Sequence, residues 1–264
     1  MIKKKLCSII LCVFVVCCAA CSSDVEYSIK DWDLKAIAYD EKWDCDLWSN
    51  PAYQIGVIDI DEDVYSDNQQ EQFHHHQIIE ALIKKIAPKC KICSICLSDN
   101  PNSSDIINAI QELSEQGCRV INISLGTTET ISFPEELRQK MESGQLYIVC
   151  AAGNGKKGIL YPAASDGAIC VLAKDINNGI AKLDLMDEGF KKSFSAPGMH
   201  ININGNYFSG SSFATVYVAI AFAALATKTP ERSYSEMMDF LCDNATNSAA
   251  DCDYGVIQFS KLLP

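Results

Sequence analysis

The sequence contains few positively charged residues. Its 264 residues include 22 lysines and arginines against 34 aspartates and glutamates, which gives a net charge of −12 at neutral pH. Beyond the first five residues, no cluster of basic residues is interleaved with aromatic side chains. Because nucleic acids are bound largely through positive charge, this pattern argues against a nucleic-acid partner.

Internal repeats, low-complexity segments and recognisable linkers are also lacking. A chain of this length is sufficient for one large domain and short of two. With 48% hydrophobic and 21% charged residues, its composition is that of a globular protein with a sizeable core. We therefore expect one domain over residues 54–264, preceded by a lead-in segment over residues 21–53.

Apolar runs are too short to cross a bilayer as mature helices. The first, residues 6–16, follows three lysines and precedes two alanines and Cys21. This order is typical of a bacterial lipoprotein signal over residues 1–20, in which the cysteine is acylated and becomes the first mature residue. An ordinary cleaved signal peptide is the alternative, since Cys18 stands where such signals usually have leucine. Either signal predicts export, and the lipid anchor predicts a membrane location, at the bacterial outer membrane or the cell surface.

Nine cysteines follow Cys21, an odd number that cannot pair completely. Cys90, Cys93 and Cys96 have a spacing that could bind metal, but no histidine lies near them in sequence. We interpret that segment as a buried strand and expect no metal site. Two further cysteines flank a polar loop and are candidates for a disulfide, Cys242 and Cys252.

Strand patterns alternate with helix patterns from residue 54 onwards. The first strand is β-branched and uniformly apolar, as in a strand that is buried on both faces. The predicted strands are 54–59, 91–97, 119–124, 146–150 and 168–173, and the predicted helices are 32–43, 75–86, 103–116 (capped by Ser103 or Ser104) and 134–142. Repeated strand–helix–strand units predict an α/β fold with a doubly wound, mainly parallel β-sheet and helices on both faces.

Polar residues stand where this fold places its functional sites, at the carboxyl ends of the strands. Asp59 ends the first predicted strand, and Asn154 follows the fourth. Ser212 precedes a very apolar segment, residues 215–226, which is too short to cross a membrane and predicts a buried central helix. A serine at the start of that helix lies at the positive end of its dipole, which stabilises a developing alkoxide.

An aspartate, a histidine and a serine in this chain order, on separate elements of a parallel sheet, form the arrangement of subtilisin-like proteases. The sequence resembles the subtilase family (peptidase S8) over about residues 31–264. Eight collinear motifs carry the resemblance: VID (57–59), IAPKCKI (86–92), VINISLG (120–126), AAGN (151–154), YPAA (161–164), FSAPG (194–198), GSSFA (210–214) and YGVI (254–257).

The resemblance implies a serine endopeptidase that forms an acyl-enzyme intermediate. Ser212 would be the nucleophile, His75 its general base, and Asp59 the carboxylate that orients the imidazole. Asn154 would donate its side-chain amide to the tetrahedral oxyanion.

The resemblance also implies a peptide or protein substrate. Such a substrate would be aligned by main-chain pairing along an edge formed by Ser124, Leu125 and Gly126. The family's calcium loops are not recognisable in this sequence. We expect no cofactor, with calcium as the alternative, for which the sequence assigns no residues.

The histidine is the least determined of these residues, because residues 74–76 are all histidine. The apolar positions that follow favour His75, with His74 as the alternative, and the cluster could also be a solvated helix start or a metal-binding patch. Asp61 replaces a glycine of the family pattern, and the acidic residues 61–63 should raise the pKa of the base if they lie close.

These departures leave other functions open. A catalytically impaired subtilase-fold pseudoenzyme that binds peptides or partner proteins is the main alternative to the endopeptidase. A thiol or metal protein built on the cysteines is a third interpretation.

Overall fold

The computed structural model describes residues 31–67, 71–155, 158–177, 179–181, 193–246 and 254–263. The predicted signal with Cys21 and the predicted disulfide partner Cys252 lie outside these residues. Within them the helices are α1 (Trp32–Ala36), α2 (His75–Ile86), α3 (Ser103–Glu115), α4 (Glu135–Glu142), α5 (Ser211–Lys228) and α6 (Tyr234–Asp243). The strands are β1 (Gln54–Ile60), β2 (Asp63–Tyr65), β3 (Gln72–His74), β4 (Lys91–Leu97), β5 (Val120–Ile123), β6 (Tyr147–Ala151), β7 (Ile169–Lys174), β8 (Phe194–Pro197), β9 (Ile201–Ile203), β10 (Asn206–Phe208), β11 (Ala245–Thr246) and β12 (Val256–Ile257).

The central sheet has the strand order β4-β1-β5-β6-β7-β8. All of its neighbouring strands run parallel. From β1 the chain first adds β4 on one side and then crosses to β5 on the other, so the direction of winding reverses at β1. The predicted doubly wound parallel fold is confirmed, and the crevice at such a reversal is where this architecture binds ligands.

Two apolar layers cover the two faces of the sheet, as successive side chains of a strand require. Ile55 and Val57 of β1 pack in the layer that contains α2 and α5. Ile58 and Ile60 pack in the opposite layer, which contains α3 and α4. Because both faces are covered, β1 is buried along its whole length, as predicted.

The apolar helix α5 is longer than predicted. It spans 18 residues, and among the described residues it is the one helix long and apolar enough to cross a membrane. However, 94% of that segment is buried inside the domain. The predicted central helix is therefore confirmed, whereas the argument that it is too short to span a bilayer was wrong.

Three local predictions need correction. β4 alternates between exposed and half-buried residues instead of being buried, because it lies at the edge of the sheet. Helix α3 is capped by Asn102, whose side chain accepts from the N–H groups of Ser104 and Asp105, and not by a serine. The predicted helix over residues 32–43 ends at Ala36, because the backbone turns to a positive φ of 51° at Ala38.

Two hairpins were not predicted, and each leads into a helix. One, β2–β3, leads directly from β1 into α2. The other, β9–β10, leads into α5. Together they bring the starts of α2 and α5 to the carboxyl end of the sheet.

Candidate active site

Asp59 and His75 form a buried pair. Asp59 lies near the end of β1, and His75 is the first residue of α2. The Nδ1 atom of His75 is 2.8 Å from Oδ1 and 2.9 Å from Oδ2 of Asp59, and both side chains are at most 2% exposed. The N–H group of Ile60 also donates to Asp59 Oδ1 at 2.9 Å. Since a carboxylate accepts hydrogen bonds, Nδ1 carries the proton and Nε2 remains an acceptor.

The pKa of His75 is raised above its usual value. Burial alone would lower it, but the charge and hydrogen bond of Asp59 and the charge of Glu62 outweigh burial. Asp61 and Asp63 instead lie beside the exposed imidazole of His74. The predicted effect of the acidic segment on the pKa of His75 is therefore present, and Glu62 is the residue that carries it.

Glu62 is itself perturbed by its position. Burial raises the pKa of its carboxyl group; the charge of His75 lowers it less, and Asp59 raises it further. Its Oε2 atom is buried and has no hydrogen-bond partner among the described residues. This carboxylate is therefore sensitive to the charge on the histidine.

Ser212 is the second residue of α5 and is almost completely buried. It lines a narrow pocket together with His75 and Asn154. Its hydroxyl donates to the carbonyl of Ser124 at 3.1 Å, and no other partner of that hydroxyl occurs in the described chain. A proton transfer to His75 therefore requires the hydroxyl to turn away from Ser124.

Asn154 presents its amide nitrogen to the same pocket. Its Oδ1 atom accepts from the backbone N–H group of Ser211 at 2.8 Å and from the hydroxyl of Ser211 at 2.9 Å. Nδ2 has no partner within the described ranges. The N–H group of Ser212, in the first turn of α5, is also unpaired there. Two such donors at one pocket can stabilise an oxyanion.

Ser211 is a positioning residue that sequence reasoning identified only as a member of the GSSFA motif. Its hydroxyl donates to Asn154 and accepts from the N–H group of Gly153 at 3.2 Å. Because the backbone N–H group of Ser211 can only donate, it holds Oδ1 of Asn154 on its side of the amide, and the Ser211 hydroxyl reinforces that orientation. The small hydroxyl residue directly before the serine was the available signal.

The predicted substrate-binding edge divides into two parts. Ser124 is buried, and its N–H group donates to Ile58 of β1 at 3.2 Å. The main chains of Leu125 and Gly126 make no hydrogen bonds to other described residues. Leu125 is only 2% exposed and Gly126 is half-buried, so Gly126 is the more accessible of the two to an extended peptide. A side chain at position 126 would approach Leu160 to 2.8 Å, which explains the glycine there.

Comparisons with known proteins agree on one family. The model of the Subtilase family matches residues 64–256. The thermostable alkaline protease of Halalkalibacterium halodurans is 28% identical over 208 residues, which cover 74% of this chain and 57% of that protein. The minor extracellular protease Epr of Bacillus subtilis is 26% identical over 275 residues, which cover 90% of this chain and 42% of that protein. Subtilisin DY of Bacillus licheniformis is 31% identical over 183 residues, which cover 64% of this chain and 66% of that protein. The chain thus spans less than two thirds of the length of these relatives.

Solved structures show the same fold. The prenylagaramide maturation protease PagA superposes with a TM-score of 0.63 at 20% identity, over 83% of this chain and 97% of its own. MycP1 with its N-terminal propeptide removed gives a TM-score of 0.65 at 15% identity, over 89% and 97%.

Proposed function

The chain belongs to the subtilase family, and from this premise we propose that it is a serine endopeptidase acting on peptide or protein substrates. The supporting observation is the buried Asp59–His75 pair, whose histidine lines one pocket with Ser212 and Asn154. A carboxylate-bound imidazole beside a serine hydroxyl is the arrangement that activates this nucleophile.

The reaction would proceed in two displacements. Ser212 Oγ attacks the peptide carbonyl while its proton passes to Nε2 of His75, and Asp59 stabilises the resulting imidazolium. Asn154 Nδ2 and the N–H group of Ser212 stabilise the negative oxygen. The C–N bond then breaks as His75 returns the proton to the leaving amine. Water, deprotonated by the same imidazole, hydrolyses the acyl-enzyme and restores the serine.

Peptide binding without turnover is the second candidate, and one observation favours it. The Ser212 hydroxyl is directed to Ser124, and Val64 and Tyr65 of β2 narrow the pocket in front of it. A pocket that stays in this state would hold a chain without cleaving it.

Labelling with a fluorophosphonate separates the two candidates, because the reagent reacts with an activated serine. The chain starting after Cys21 should be labelled, and Ser212→Ala should not be. Ser143→Ala, which removes an exposed serine on α4's C-terminal side, should be labelled as the wild type is. A wild type that is folded by circular dichroism but stays unlabelled would exclude the endopeptidase.

We also propose that the chain is exported and held in a membrane by acylated Cys21, at the bacterial outer membrane or the cell surface. The support is the order of lysines, apolar run, small residues and cysteine in residues 1–21. Export also agrees with the similarity to a protease named as extracellular. Mass spectrometry of the native N-terminus should find an acylated Cys21. An unmodified start at a later residue would refute the anchor.

A further inference from the structure

A second cluster of reactive side chains lies beside the Asp59–His75 pair. The register of the parallel strands places Cys96 of β4 next to Asp59 of β1. Asp61 follows β1 and remains attached to β4 through its N–H group, which donates to Leu97 at 3.3 Å. His76 is the second residue of α2. Three separate elements thus bring a carboxylate, an imidazole and a thiol together.

The spacing of these groups suits a small divalent cation. Nδ1 of His76 lies 3.8 Å from Sγ of Cys96 and 3.7 Å from Oδ1 of Asp61. One ligand atom from each of the three residues lies within 4.8 Å of the other two. A tetrahedral ion with bonds of about 2.0–2.3 Å separates its ligand atoms by roughly 3.3–3.8 Å, so small side-chain movements would complete the site.

The surroundings favour positive charge. Partial burial raises the pKa of the Cys96 thiol, and so do four nearby carboxylates, those of Asp61, Asp59, Asp99 and Glu80. The same negative potential attracts a cation, which displaces the thiol proton when it binds.

The site is open to solvent, and a further side chain supports one of its ligands. The side chains of Asp61 and His76 are 61% and 25% exposed, and Cys96 is exposed as well. An ion can therefore enter from solvent and keep a water molecule as its fourth ligand. His74 lies 3.2 Å from Asp61 Oδ1 and can orient that carboxylate.

We propose that Asp61, His76 and Cys96 bind one zinc ion. The combination of thiolate, imidazole and carboxylate matches the ligand preference of zinc among the common divalent metals. From the sequence alone we expect no metal site at Cys96, because no histidine lies near that cysteine along the chain. The fold brings His76 next to it. The ion would join the first turn of α2 to the adjacent ends of β1 and β4.

The position of the zinc site next to Asp59 and His75 suggests that the bound ion controls the activity of the enzyme. This regulatory role rests on the proposed endopeptidase function, whereas the zinc site itself does not. Asp61 lies two residues after Asp59, and His76 follows His75 directly. A bound ion would hold both members of the buried pair through the backbone next to them. Zinc binding itself requires no catalysis and is tested without it.

Cobalt binding provides the test, because a thiolate bound to Co²⁺ gives an intense near-ultraviolet absorption. The full chain, carrying Ser212→Ala to prevent self-cleavage, is titrated with Co²⁺ under reducing conditions and then with Zn²⁺. One equivalent of Co²⁺ should produce the thiolate band, and Zn²⁺ should abolish it. Excess Zn²⁺ should also raise the melting temperature, since it binds the folded state.

Variants identify the ligands. Cys96→Ser should lose the thiolate band, and each of Cys96→Ser, His76→Gln and Asp61→Asn should weaken Zn²⁺ binding at least about tenfold, the loss that even outer partners cause. Cys45→Ser and His200→Gln remove an exposed thiol and a half-exposed imidazole elsewhere and should bind as the parent does.

The result that would overturn the site is an absent thiolate band in the folded parent, or an equal affinity in Cys96→Ser. The ligand variants change partly or fully exposed side chains, so folding is expected, and circular dichroism checks it. If Cys96→Ser does not fold, equal affinity in both Asp61→Asn and His76→Gln also overturns the site. Because the parent is inactive by design, failure here leaves the endopeptidase proposal unaffected, and failed fluorophosphonate labelling leaves the zinc site unaffected.

Discussion

His75 contacts Asp59, 2.8 Å away, and not Asp61, the acidic residue two positions further along the chain. The histidines on either side of it lie near Asp61 instead, with Nδ1 of His74 at 3.2 Å and that of His76 at 3.7 Å. Three identical residues thus meet different carboxylates, a buried one at His75 and exposed ones at His74 and His76. Side chains at successive positions of a helix start point in different directions, and only the direction of His75 leads into the core.

This division predicts the effect of alanine at each histidine. His75→Ala should lower kcat/KM by roughly 10²–10⁴-fold, the contribution of a general base. His74→Ala removes an exposed ring that lies outside the pocket, and kcat/KM should change by less than about threefold, because surface substitutions have small effects. Peptide hydrolysis by the two variants is measured side by side. Full activity in His75→Ala would assign the base to another residue.

The charge of Glu62 predicts a change in pH dependence. The base works only when neutral, and Glu62 contributes to the raised pKa of His75. In Glu62→Gln that pKa should fall, so the acid limb of kcat/KM should move to lower pH, by up to about one unit. The profile is measured with a chelator present to keep metal ions away.

Asp63→Asn is the matched control for this change. Its carboxylate lies beside His74 and does not contribute to the raised pKa of His75, so the limb should stay in place. A limb that moves upward in Glu62→Gln, or equally in both variants, would contradict the assignment.

The bonds between Ser211 and Asn154 predict non-additive effects on turnover. Asn154→Ala removes an oxyanion donor and should lower kcat by about 10²–10³-fold. Ser211→Ala should lower kcat less and leave KM unchanged, since it loosens the donor without removing it. In the double variant, Ser211→Ala should add little to Asn154→Ala. Fully multiplicative losses would show that Ser211 acts by another route.

The backbone before Asn154 predicts a stability difference between two glycines. Gly153 has a φ of +105°, and a Cβ there would lie 2.8 Å from Leu160. Gly153→Ala should therefore reduce the free energy of unfolding by about 1–2 kcal/mol. Gly155 has no such φ, and a Cβ there would meet no atom of the described residues within 4 Å, so Gly155→Ala should be nearly neutral. Urea denaturation of both variants measures the difference, and equal losses would contradict it.

Local patterns were sufficient for most of the secondary structure. Strand β1 was predicted from its uniform apolar run and helix α2 from the spacing of its apolar residues, and both patterns depend on burial alone. The predicted ends of both elements lie within one residue of the observed ends. Predictions were wrong where a neighbour decides the outcome. β4 is apolar enough for an interior strand, yet no strand of the described chain covers its outer side. Helix α3 already begins at Ser103, so the capping position falls on Asn102 and not on the predicted serines. Asp105, three residues after Asn102, completes the capping box.

The sequence by itself determined which residue types stand at the carboxyl ends of the strands, because that order follows from periodicity and motif spacing along the chain. Tertiary structure decided which carboxylate each of the three histidines meets, which end of the Asn154 amide faces the pocket, and that Cys96 lies beside His76. Each of these depends on strand register, on the phase of a helix or on a hydrogen bond between distant segments. Such contacts are set by how the elements pack together, and the local sequence does not encode them.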